Sequence, residues 1–131
     1  MKTWVITTVI ILILVLGGIY LLSTSPGNEN SIGEEDVKIF KITGDNFRFF
    51  MEGVESPDLR VKEGDRVRID FTNEEGFHDW KIDEFNASTA QISAGQSESI
   101  EFVADRKGTF EYYCSVGQHR ANGMKGNLIV E

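Results

Sequence analysis

From residue 37 onward, apolar and polar residues alternate in short runs. In DRVRIDF, Val67, Ile69 and Phe71 fall on one face, and Arg66, Arg68 and Asp70 on the other. A period of two predicts a half-buried strand. The same reading predicts strands at VKIFKI (Val37–Ile42), NFRFFM (Asn46–Met51), DLRV, HDWKID, Ser99–Val103, GTFEYYC and the closing GNLIVE. HDWKID places His78, Trp80 and Ile82 on one buried face and turns Asp79 outward. GTFEYYC places Phe110, Tyr112 and Cys114 inward. Turns are expected at Gly44-Asp45, Glu52-Gly53 and Glu63-Gly64. EFNASTAQIS, Glu84 to Ser93, fits a loop, a helical turn or an edge segment. Seven or eight short strands at this spacing predict an all-β Greek-key β-sandwich over 36–131, and roughly 95 residues suffice for a small core.

The N-terminus has a different pattern. Trp4 to Leu22 is an uncharged apolar run of 19 residues after Lys2. A membrane-spanning helix needs about 20 residues, whereas a signal-peptide core is about 7–15. The run is apolar on every side, so it has no face to orient a buried core helix. Residues 1–22 are therefore expected to be an uncleaved membrane anchor, with a cleaved signal as the alternative. Proline after the small residues Ser23 and Ser25 disfavours cleavage there. Both readings place the rest of the chain outside the cytoplasm: tethered to the membrane, or secreted or periplasmic after cleavage. Residues 23–35, rich in Ser, Gly, Asn and Glu, read as a flexible linker.

Composition narrows the function. The net charge of −8 and the lack of a basic stretch argue against a nucleic-acid partner. Thirteen glycines and nine phenylalanines suit a turn-rich β domain with an aromatic core. The chain has one cysteine and two histidines. The single cysteine excludes an internal disulfide, and an unpaired thiol is a liability in an exported domain.

That cysteine lies in YYCSVGQHRANGM, where Cys114, His119 and Met124 are spaced C-x4-H-x4-M. Taken singly, each has an ordinary reading. Cys114 would be a small buried hydrophobe, His78 a core or turn histidine, and Met124 a core side chain; Met51 reads as core rather than ligand. Taken together, His78, Cys114, His119 and Met124 use all the histidine and cysteine of the chain. They form the His2Cys set with a weak axial Met that suits one type 1 copper ion. Zinc sites prefer more sulfur or histidine and no thioether.

The segments VKEGDRVRIDFTN, His78 at the head of a strand, ISAGQSESIEF and GTFEYYCSVGQHRANGMKGNLIVE resemble the cupredoxins, the type 1 copper family of plastocyanin and azurin. The resemblance runs from about Val37 to Glu131. It implies a cupredoxin-like sandwich with His78, Cys114, His119 and Met124 as the copper ligands. The loop departs from both relatives: the first gap is longer than plastocyanin's, and the second slightly longer than azurin's. Asp79 stands where many relatives carry Asn. It either accepts hydrogen bonds from the ligand loop or simply faces solvent.

The expected function is one-electron transfer by an extracytoplasmic, mononuclear type 1 copper protein. The alternative is copper binding for storage, delivery or sensing. An enzyme is not expected, since a second, catalytic copper would need further histidines, and a binuclear copper centre needs two cysteines. The expected partners are redox proteins and, through the N-terminal helix, the membrane; the expected state is a monomer. Electrons are expected to pass the edge of His119, with Arg120 either orienting an acidic partner or solvated. A second route runs through Tyr112 or Tyr113, whose ordinary role is packing.

Overall fold

The computed structural model of the chain describes residues 36–131, and the anchor and linker expected over 1–35 lie outside them. The chain forms β1 (Lys38–Asp45), β2 (Arg48–Met51), β3 (Val54–Glu55), β4 (Leu59–Val61), β5 (Arg66–Asn73) and β6 (Phe77–His78). It continues with β7 (Lys81–Ile82), β8 (Ala87–Ser88), β9 (Ile92–Ser93), β10 (Ser97–Val103), β11 (Gly108–Tyr113) and β12 (Lys125–Val130). Seven of these strands have three or more residues, and the other five are two-residue pieces. No helix among the described residues is long and apolar enough to cross a membrane.

One sheet has the order β10-β5-β1-β2-β3, the other β4-β12-β11-β7-β8, and β6 pairs with β9 as a short ribbon. β1 runs parallel to β5, and β4 to β12; the remaining pairs are antiparallel. The chain thus winds back and forth between two sheets as a sandwich. The β5 alternation is as the sequence predicts: Val67, Ile69 and Phe71 are buried. They join Ile42 and Phe49 of the same sheet and Leu59, Tyr112, Leu128 and Val130 of the other in one core. Trp80 stacks on Tyr112 and Phe102 with ring centroids 5.3 and 6.2 Å away. The Tyr112 hydroxyl donates to the Pro57 carbonyl at 2.6 Å. Each such side chain contributes about 1.5–3 kcal/mol by leaving water.

Two sequence expectations are corrected. The first is the turn at Gly44-Asp45. β1 continues through both residues, and the turn is Asn46-Phe47, closed by the Asp45–Arg48 pair. Gly44 is glycine for space: a Cβ there would lie 2.9 Å from Phe71 Cζ and 3.3 Å from Met124 Cε. Asn46 and Phe47 take φ of 44° and 60°. Two left-handed residues suit the right-handed twist of a tight hairpin.

The second correction concerns HDWKID. His78, Asp79 and Trp80 are all buried, because the segment is not one strand. His78 pairs with Ile92 in the ribbon, whereas Lys81 and Ile82 join β11 and β8 in the second sheet. Alternation therefore breaks at Asp79, which turns inward. Trp80 and Thr89 are tied across the gap, Trp80 N–H donating to Thr89 Oγ1 and Thr89 N–H to the Trp80 carbonyl, both at 3.0 Å. EFNASTAQIS becomes a turn followed by β8 and β9.

Lys38 pairs with Val67, and Gly44 with Asn73. The chain therefore enters the sandwich at the end opposite the Asn46-Phe47 turn.

Candidate metal centre

Three segments meet at that turn: the His78–Asp79 corner, the end of β11 at Cys114, and the loop from Ser115 to Met124. Asn73 holds the approach to His78. Its Nδ2 donates to the Gly76 carbonyl at 3.1 Å and the Ile92 carbonyl at 2.8 Å, fixing both sides of the β6–β9 ribbon. The ligand loop is closed by its own backbone. Cys114 N–H donates to the Met124 carbonyl at 3.1 Å, and Met124 N–H to the His119 carbonyl at 2.9 Å. These bonds tie the three loop residues to one another whatever their side chains hold.

The side chains converge. His78 Nδ1 and His119 Nδ1 are 3.0 Å apart, and Cys114 Sγ lies 3.4 Å from the His119 nitrogen and 3.8 Å from that of His78. The point equidistant from the three atoms is about 2.0 Å from each, close to ordinary metal–imidazole and metal–thiolate bond lengths. Both imidazoles turn the same ring nitrogen toward one sulfur, giving a convergent set of two nitrogen donors and one thiol. A soft or borderline cation fits that donor set. His78 and Cys114 are buried, and His119 is partly exposed. Met124 is fully buried, with its methyl group in the space left by Gly44. All four residues singled out in the sequence are therefore at this end of the sandwich, arranged like a type 1 copper site.

Burial pushes the Cys114 thiol up to about 11, against the pull of backbone hydrogen bonds from Asp79 and Val116. The metal-free site thus holds a neutral thiol, and metal uptake must release its proton. Burial lowers the His78 pKa, and the neighbouring His119 adds to the effect. That shift favours a neutral nitrogen donor at His78.

Asp79 resolves the alternative left open by the sequence. Its carboxylate accepts from Ser115 N–H at 2.6 Å and from the Ser115 hydroxyl at 2.5 Å. It therefore fastens the residue after His78 to the residue after Cys114. Arg120 is not a free loop charge. It pairs with Glu111 at 2.7 Å and lies over the Tyr113 ring at 3.9 Å, while the Tyr113 hydroxyl donates to Asp83 at 2.8 Å.

Sequence reasoning missed Phe47, which it placed within a strand. Its ring stands edge-on to His119, 4.7 Å between centroids, and to His78 at 6.1 Å. The signal was the Asn46-Phe47 pair between two alternating runs, with Asn tolerant of the left-handed region. Phe47, Phe77, His78, Val116 and His119 border a hollow of about 280 Å³ beside the histidines.

Residues 11–130 match the cupredoxin-like domain family. The chain is 33% identical over 84 residues to the copper-containing nitrite reductase of Neisseria meningitidis serogroup A, covering 56% of this chain and 22% of that protein. It thus spans 21–28% of the length of these nitrite reductases. Reduced auracyanin from the photosynthetic bacterium Roseiflexus castenholzii superposes with a TM-score of 0.58 at 23% identity, covering 72% of this chain and 97% of that one. Rusticyanin from Thiobacillus ferrooxidans superposes with a TM-score of 0.63 at 23% identity, covering 72% and 77%. The two superpositions show a shared fold.

Proposed function

The chain belongs to the cupredoxin-like family, and on that footing we propose that it is a mononuclear type 1 copper protein carrying single electrons between redox partners outside the cytoplasm. The observation that supports this most directly is the triangle of His78 Nδ1, His119 Nδ1 and Cys114 Sγ, with Met124 buried beside it. Bound copper supplies a one-electron couple between Cu(II) and Cu(I). Cys114 supplies the thiolate, held by backbone N–H groups of Asp79 and Val116. The two imidazoles would hold the ion in either oxidation state, and the Met124 thioether would favour the reduced one.

Rigidity is what the protein adds. The Cys114–Met124 and Met124–His119 backbone bonds and the Asp79–Ser115 clasp fix donor positions before the ion arrives. Donors that stay in place on oxidation and reduction keep the structural cost of each transfer low. His119 is the ligand nearest solvent, and the exposed rings of Phe47 and Phe77 lie on its side of the hollow. A redox protein with a matching apolar face would dock there and exchange electrons through the imidazole edge. Both histidines of the chain lie in this one site, so no histidine remains for a second, catalytic copper. On this reading the protein is a carrier rather than an enzyme.

Residues 1–22 serve as membrane anchor or as signal, and residues 23–35 as tether. Visible and EPR spectra of the Cu(II)-loaded chain, with Cys114→Ala alongside, test the reading. A strong cysteine-to-copper charge-transfer band with narrow hyperfine splitting, absent in the variant, is expected. A weak spectrum unchanged by the substitution would remove Cys114 from the site and the copper reading with it. Voltammetry separates the carrier from a storage or delivery protein: a carrier cycles reversibly with copper retained, whereas a delivery site loses the ion in one state.

A further inference from the structure

We propose that Phe47 is a positioning residue of the metal centre: its ring braces both imidazoles from outside, and Arg48 locks the turn that carries it onto the ligand loop. The inference rests on the copper reading for its function, but its geometry belongs to the chain alone.

The two hairpin turns of one meander provide an internal control. Between β2 and β3 the turn is Glu52-Gly53, with φ of 50° and 80°. Glycine takes the second position, as a turn of this kind prefers. Between β1 and β2 the same two-residue turn is Asn46-Phe47, and phenylalanine adopts φ of 60°. That backbone disfavours a Cβ. Core burial does not explain the choice, because Phe47 is 43% exposed.

The contacts of the ring do explain it. It meets His119 at 4.7 Å and 81°, and His78 at 6.1 Å and 84°. These are the edge-to-face arrangements in which aromatic pairs attract. His119 sits on a loop whose next three residues, Arg120 to Asn122, are exposed. Phe47 supplies a wall that the loop itself lacks, limiting ring rotation and keeping water from the imidazoles.

Arg48 fixes the position of that wall. Its Nη1 donates to the Phe47 carbonyl at 2.8 Å and to the Asn122 carbonyl at 2.7 Å, and its Nε to Glu55 at 2.8 Å. Asn122 lies between His119 and Met124, so one guanidinium joins the turn, β3 and the ligand loop. Gly123, at φ of 99°, leaves room for it: a Cβ there would stand 3.3 Å from Arg48 Cζ.

The test is Phe47→Gly in the full chain, with Phe47→Tyr as the conservative variant. Asn-Gly is the better turn, so metal-free Phe47→Gly is expected to melt at or above the wild-type temperature. Its Cu(II) is nevertheless expected to pass to EDTA roughly 10–100-fold faster, the range for losing an outer-shell partner of a metal ligand. Phe47→Tyr, which keeps the ring, should restore slow release. In the metal-free protein, NMR of the His119 ring should show averaged, less ordered signals in Phe47→Gly. A merely structural role would move melting and release in the same direction; these are expected to part. Wild-type release together with unchanged His119 signals in Phe47→Gly would overturn the proposal. If the copper reading itself fails, wild-type protein shows no Cys114-dependent band, and the metal-free His119 signals decide the brace alone.

Discussion

The waist of the sandwich and its metal-bearing end are built by different rules. At the waist, Ile42, Phe49, Val67, Ile69, Trp80, Tyr112 and Leu128 meet across two sheets with little polar content. Their stability comes from apolar area removed from water, which is additive and tolerant of detail. At the metal end the buried groups are an amide, an imidazole, a carboxylate and a thiol: Asn73, His78, Asp79 and Cys114. Buried polar groups cost free energy unless each finds a partner. The end is therefore specified by particular bonds, each fixing one atom. The waist determines whether the chain folds, and the end determines what the folded chain can hold.

Single substitutions should separate the two regions. The largest effect falls on the end alone. Cys114→Ala should abolish the charge-transfer band and weaken Cu(II) binding by more than the roughly 10–100-fold attached to an outer-shell loss, yet leave the metal-free fold cooperative by circular dichroism. Concerted loss of fold and site would erase the division. Next is Trp80→Ala, which removes the ring stacked between Tyr112 and Phe102. It should cost about 3–5 kcal/mol in denaturant unfolding while leaving the absorption maximum of the folded, copper-loaded fraction in place. A shifted maximum would mean that the waist reaches into the donor geometry.

Asp79 sharpens the contrast at intermediate size. Asp79→Ala strands the Ser115 N–H and hydroxyl and should cost about 1–3 kcal/mol. Asp79→Asn keeps an acceptor for the N–H and offers the hydroxyl a donor, so most of that stability should return. Removing a negative charge close to the metal should still raise the reduction potential, by an amount on the order of tens of millivolts. Equal potentials in Asp79→Asn and wild type would count against a charge at this position.

The smallest effect is alkaline. Burial raises the Cys114 thiol from 9.0 to about 11 and raises the Tyr112 phenol as well. The folded, metal-free chain keeps a proton that the unfolded chain gives up. The thiol's share of stability is thus whole below pH 9.0 and is lost as pH climbs toward about 11. Denaturation midpoints at intervals across that window should fall for metal-free protein, by an amount on the order of 1 kcal/mol. Copper-loaded protein, whose thiol has already lost its proton, should lack the thiol's part of the decline.

Much of the waist was legible in the sequence because a strand repeats every two residues wherever it pairs continuously. Val67, Ile69 and Phe71 show this. The rule failed where pairing changes hands. Asp79 was assigned outward by counting from His78, yet the chain leaves the ribbon there and joins a different sheet three residues on. It failed again at Gly44, read as a turn because glycine often is one, when the glycine is needed for the approach of Phe71 and Met124. Phe47 escaped notice because an aromatic residue beside a strand looks like part of it. Arg120 looked free because its partner, Glu111, sits on the strand leading to Cys114, nine residues back.

By itself the sequence determined the class of fold, the inventory of soft donors and the closeness of three of them along one loop. Those properties are local, set by side-chain alternation and by residue chemistry. Only the tertiary structure decided that His78, 36 residues before Cys114, faces it at 3.8 Å, that Asp79 clasps Ser115, and that Phe47 stands against both imidazoles. Each of these contacts joins segments far apart in the chain. Their geometry follows from how two sheets and a ribbon close on one another, which no local periodicity encodes.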